Sequence, residues 1–217
     1  ISYHARVGFK VSNNWLLEIV QRNVAGETQY DGCFAGSTVH DCLAVYDLNA
    51  SRGSLAYTSP SFTHSLGFSN TKTNREDLAL GNLAFSSKGE LSRWEYVASA
   101  SNLPGIDLVF GIDLEQEENG TRERDNKGVY VELLSDFSDS LFLSAGVRQD
   151  NNNDFGKHDS YRVSSAYLLA LGSSTLKLKA SYGSGFRSPS LFEITYNSGP
   201  FSAPPASLLI TANNFLS

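Results

Sequence analysis

The residues best equipped to hold a ligand form the run Asp150-Asn151-Asn152-Asn153-Asp154-Phe155-Gly156. Oxygens of Asp150, Asn152 and Asp154 fall in a D-x-N-x-D spacing, and hard cations such as calcium take carboxylate and amide oxygens of this kind. Gly156 comes one position late for an EF-hand, and Tyr161 stands where that motif needs a bidentate Glu. Asn and Asp also populate plain turns because they tolerate turn backbone. Calcium here is an expectation set beside an ordinary turn, and no other cofactor is expected. Cys33 and Cys42 are the only cysteines, and C-x8-C matches no zinc spacing. In an oxidising compartment the pair is expected to close a disulfide, which stabilises such a loop by roughly 2–3 kcal/mol in the chain-entropy model. Gly183-Ser184-Gly185-Phe186-Arg187-Ser188 imitates a dinucleotide loop, but the third glycine is missing and Pro189 follows at once. Glycines there more simply let a strand bend or pack closely. His4, His40, His64 and His158 are scattered, with neither H-E-x-x-H nor G-x-S-x-G in the chain, so enzyme activity is not expected.

The elements that carry these residues repeat with a period of two. In 106–116 Ile106, Leu108, Phe110, Ile112 and Leu114 alternate with Asp107, Gly111, Asp113 and Glu115. The same alternation sets Leu141, Leu143 and Val147 against Ser144 and Arg148, and Leu176 and Leu178 against Lys177 and Lys179. Trp94, Tyr96 and Ala98 oppose Arg93, Glu95 and Ser99. Helical periodicity of comparable length is absent, so the fold class is all-β with long antiparallel strands. With 41% apolar and 18% charged residues among 217, the chain is too apolar for disorder. It lacks the ~20-residue apolar run of a membrane helix. A pI near 5.2 without a basic block argues against a nucleic-acid partner. The sequence contains no Met, and the chain is expected to begin after processing or inside a longer protein.

Connections alternate in length. Leu103–Gly105, Phe137–Ser140 and Leu171–Ser174 read as tight turns, whereas Glu117–Asn126, Asp150–His158 and everything after Gly185 read as longer polar links. Counting in the same parity puts Asn13-Asn14 and Asn49–Pro60 at the short-turn end. Lys72–Asn82 and the cysteine loop then fall at the other. Outer-membrane barrels show this asymmetry of short periplasmic turns and longer external loops. A soluble β-sandwich alternates as well, but strands of roughly ten residues fit a bilayer better than a sandwich. Tyr161, Tyr167 and Tyr182, with Trp94 and Tyr96, suit interfacial aromatic girdles.

The run TLKLKASYGSGFRSPSLFE (175–193), preceded by RQDNNNDFGKHDSYRVSSAYLL (148–169), resembles the late-barrel region of TonB-dependent outer-membrane receptors. The likeness is strongest to transporters of vitamin B12 (cobalamin) and siderophores, and GVYVELLSDFSDSLFLSAGVRQD (128–150) fits the preceding hairpin of that family. The specific match covers about 127–193. It implies a transmembrane antiparallel β-barrel of 22 strands closed by a plug. About ten strands are countable here, so residues 1–217 are expected to be part of that barrel domain, with plug and C-terminal strands outside the chain. The function implied is TonB-driven import of cobalamin or a ferric siderophore across the outer membrane. Expected partners are that ligand, the TonB complex acting through the plug, and outer-membrane lipid. A passive porin or surface-binding barrel is the alternative. On this resemblance Arg148, Lys177, Lys179 and Arg187 are expected to face the lumen or plug. There Lys177 and Lys179 either guide an anionic substrate, or simply form a solvated lumen wall or pair with plug residues. Ligand contacts are expected in the external loops, particularly 186–217, and in the cysteine loop, without assignment to individual residues.

Overall fold

The computed structural model describes residues 1–34, 37–103, 105–120, 122–191 and 194. Ten strands form one antiparallel meander: β1 (Ser2–Lys10), β2 (Trp15–Tyr30), β5 (Cys42–Thr58), β6 (Phe62–Ala79), β7 (Asn82–Leu103), β8 (Ile106–Asn119), β9 (Arg122–Phe137), β10 (Leu141–Asn152), β11 (Gly156–Leu171) and β12 (Ser174–Gly183). A separate hairpin of β3 (Cys33–Phe34) and β4 (Thr38–Val39) stands between β2 and β5. Among the described residues β1 and β12 are each paired on one side only.

Alternating apolar side chains make the strands, and the register gathers them onto one face. Phe68 pairs Trp94 and Trp94 pairs Leu114. Farther along the sheet Phe110 pairs Val131, Val131 pairs Val147, and Val147 pairs Tyr161. Directly paired residues share a face, so this face is apolar from strand to strand. Its side chains are widely exposed, Val147 to 64% and Tyr182 to 67%. Ring pairs border the apolar band: Trp15–Tyr57 toward one end, and Phe68–Trp94 and Tyr161–Tyr182 toward the other. Beyond the band the same face turns polar. Asn70 and Lys72 there meet Glu90, the lysine at 3.1 Å.

Several expected loops are strand instead. Asn49–Thr58 continues β5, paired with both β2 and β6, and the turn follows Thr58. Lys72–Ala79, Glu117–Asn119 and Asp150–Asn152 extend their strands to close turns at Leu80-Gly81, Gly120 and Gly156. The last three segments read as loops because past the apolar band neither face meets an apolar medium, so the alternation of apolar and polar residues disappears while backbone pairing continues. From β2 to β11 the strands of the meander are consequently longer than the ten residues expected: β7 has 22, against the 9–11 that cross a bilayer. The excess stands beyond the apolar band at the end opposite the short turns. Turn backbone is demanding in places: Leu80 holds φ 52°, and Gly105, at φ 69°, lies where a Cβ would sit 2.5 Å from the Asp136 carbonyl oxygen.

Candidate functional site

The second face of the sheet is polar and sheltered. Arg52 and Glu95 pair across it. Next to them Arg93 donates to Asp113 at 2.5 Å, and Arg148 donates to the other Asp113 oxygen at 2.6 Å. Arg148 also grips Asp150 through two hydrogen bonds of 2.7 and 2.8 Å, and Asn126 donates to Asp150 at 3.0 Å. Strands β7 to β10 each contribute, because Glu95–Asp113, Asp113–Gly128 and Gly128–Asp150 are register pairs. Asp113 is only 3% exposed, and two guanidiniums offset the loss of water that such burial entails. Glycines make room for the large groups. The Tyr130 ring occupies the space above Gly111, the Arg148 guanidinium that above Gly128, and Arg148 lies 5.7 Å from the Tyr130 ring centre. Tyr46 covers Gly26 in the same way.

Toward the short-turn end this face hollows into a concavity of about 1000 Å³. Asp107 and Asp136 stand on its β8–β9 side, Arg162 and Lys179 on its β11–β12 side, and Ser144 and Ser164 between. Lys177 and Lys179 face the same way as Arg162 and Arg148, as the pairs Ala166–Lys179, Leu168–Lys177 and Arg148–Ser160 require. Among the described residues Arg162, Lys177 and Lys179 join no ion pair.

At the far end two segments fold over the polar face. The first is the cysteine flap. Cys33 and Cys42 are joined at 2.08 Å, and beneath them Cys42, Ala79 and Asp77 are buried. Arg75 holds Asp77 at 3.0 Å. The second is a strap, Ser184–Leu191, that leaves β12 and returns along β9–β11. Ser184 N–H donates to the Tyr161 carbonyl at 2.9 Å. Phe186 stacks on His158 with ring centres 3.6 Å apart. Arg124, itself 7% exposed and paired with Glu117, donates to the Pro189 carbonyl at 2.5 Å. Arg187 lies exposed within the strap.

The calcium-like run is placed differently from a loop. Asp150 and Asn152 lie in β10, with both Asp150 oxygens engaged by Arg148 and Asn126. Asn152 Oδ1 accepts the N–H groups of Asp154 and Phe155, which makes a side-chain-capped turn. Asp154 reaches toward Arg122 at 3.9 Å. Among the described residues no group of His, Cys, Asp and Glu is gathered as a metal site. Sequence reasoning passed over Arg124, Asp113 and His158 as site residues. Asp113 was visible on the polar side of its strand, but nothing in local spacing reveals that an arginine one strand away and another two strands away on the other side converge on it. The expected ligand loop 186–217 falls largely at 192–193 and 195–217, outside the described residues.

A family model described as TonB dependent receptor-like, beta-barrel matches residues 2–215. The vitamin B12 transporter BtuB of Photobacterium profundum is 25% identical over 201 residues, covering 88% of this chain and 31% of that protein. Among solved structures, the siderophore receptor PirA from Pseudomonas aeruginosa superposes with a TM-score of 0.70 at 15% identity, over 88% of this chain and 34% of that one. The RagAB peptide importer in its closed-closed state gives 0.56 at 11% identity, over 84% and 32%. The chain thus spans about a third of the length of the relatives it matches.

Proposed function

This chain belongs to the TonB-dependent receptor-like β-barrel family, and from that premise we propose that it forms wall and mouth of an active importer for cobalamin or a ferric siderophore. It is an outer-membrane β-barrel protein, with its apolar face toward lipid and its polar face toward the lumen. The end that carries the flap, the strap and the strand extensions then lies outside the cell, and the opposite turns face the periplasm. The observation that carries the reading is the pair of inward-folded segments, the disulfide-joined flap and the strap, at the external mouth of a wall whose central charges neutralise one another. A rigid polar wall with loops turned over its opening suits capture of a scarce ligand better than free diffusion, because loops on a rigid scaffold carry recognition. The chemistry is noncovalent: binding outside, then release driven by TonB through a plug.

The deciding experiment uses the full-length receptor. Saturable binding of cyanocobalamin or of one ferric siderophore to the purified protein, with uptake by cells that stops when TonB is deleted, is the expected result. An ion-conducting pore that binds none of these ligands and works without TonB overturns it in favour of the passive porin.

A further inference from the structure

Three groups of the inner wall meet the middle of the strap, and what it presents to them describes a ligand. His158 lies on the lumen face of β11, opposite Asp150, and its Nε2 is tied to the Phe155 carbonyl at 2.9 Å. That bond fixes the imidazole plane as a flat shelf. Phe186 lies on this shelf at 3.6 Å and 10° between ring planes, and meets Phe155 edge-on at 6.5 Å. The Arg124 guanidinium stands 6.0 Å from the Phe155 ring centre and gives its Nη1 proton to the Pro189 carbonyl. The wall thus grips a flat π ring with His158 and Phe155, and an acceptor oxygen nearby with Arg124.

The geometry points to this shelf of Arg124, Phe155 and His158 as a binding site for a flat aromatic ring carrying a neighbouring acceptor oxygen, a site that the chain's own strap now fills. Ligand and strap compete for the same groups, so capture lifts Phe186–Pro189 from the wall. The site deepens the importer reading and rests on it for its biological ligand, but its chemistry is testable apart from import. Arg124 supplies the selectivity for oxygen: Glu117 already balances its charge, so the group offers directed N–H donors rather than net attraction for anions.

Hydrogen exchange across 184–191, measured on the full-length receptor in detergent, tests the site with catechol as probe and trans-cyclohexane-1,2-diol as a control without a π face. Catechol at millimolar concentration is expected to speed exchange of the strap, and the saturated diol to leave it unchanged. Phe186→Ala is expected to exchange fast without any probe and to bind catechol about three- to tenfold more tightly, the value of one aromatic pair. His158→Ala loses the catechol response, and His158→Phe, which restores a flat face, regains it. Equal exchange with both diols, or a strap in Phe186→Ala as protected as in the unaltered protein, overturns the inference. Parallel arms with cyanocobalamin and a ferric tris-catecholate show which source supplies the ring, since only that one releases the strap. The importer reading fails separately, if the receptor binds neither cobalamin nor any ferric siderophore and conducts ions without TonB, while the catechol result still decides the shelf.

Discussion

Asp113 is the residue on which the lumen wall turns. Its two oxygens receive Arg93 and Arg148 at 2.5 and 2.6 Å while the residue is 3% exposed. Asp113→Asn removes the charge without changing the shape, leaving two guanidiniums that face each other across an amide. Breaking a buried pair by removing one partner costs about 3–5 kcal/mol when the survivor is fully enclosed. Both arginines here are about a third exposed or more, and water relieves them. A loss of about 2 kcal/mol is therefore expected, read as a lower unfolding midpoint of the full-length receptor in detergent. An unchanged midpoint would show that lumen water already satisfies both arginines. The cysteine pair makes a different residue-level prediction. The bond closes a sequence separation of 9, so Cys33→Ala with Cys42→Ala should free the flap while global stability falls by no more than about 2–3 kcal/mol. Exchange of amides in 31–41 should rise at least about tenfold, with β8–β10 unaffected.

At the scale of the strand and its turn, Leu80-Gly81 is a two-residue hairpin connection with positive φ at both positions, 52° and 74°. Left-handed backbone costs a branched residue roughly 1 kcal/mol or more, and Asn-Gly is the pair such a turn favours. Leu80 is also 55% exposed, so little packing is lost on its removal. Leu80→Asn should therefore raise stability by about 1 kcal/mol, seen as a higher unfolding midpoint, and a lower midpoint would mean that Leu80 packs against something beyond the described residues. This turn illustrates why the sequence disclosed some elements and hid others. Ile106–Leu114 could be recognised as strand because one side of it meets an apolar medium and the other does not. Lys72–Ala79 and Glu117–Asn119 lie past the apolar band, lose the alternation, and are held by backbone pairing that composition does not record. Lys177 and Lys179 could be placed on one face by parity alone. The shared carboxylate of Asp113 and the stacking of Phe186 on His158 depend on contacts across strands, which spacing along one strand cannot reveal.

For the molecule as a whole, the two faces of the sheet stand in two solvents, and neighbouring residues of a single strand can test this directly. Val131 and Glu132 are consecutive in β9. Val131 belongs to the apolar face, paired with Phe110 and Val147, and Glu132 belongs to the polar face, paired with Val109 and Gly146. Val131→Arg places a guanidinium near the middle of the apolar band, where charge on the lipid side of a barrel costs about 2–4 kcal/mol. Glu132→Arg introduces the same side chain toward the lumen. There lumen water solvates it, and a change within about 0.5 kcal/mol is expected for a surface site of this kind. Folding of the full-length receptor into vesicles, followed by its resistance to denaturant, should separate the variants by more than about 1 kcal/mol with Val131→Arg the weaker. If the order reverses, the lipid and lumen faces have been exchanged. The flap and strap would then turn toward the outside of the barrel, and neither could guard its mouth. The assignment of ligand capture to the polar face therefore stands or falls with the side-chain preference of these adjacent positions.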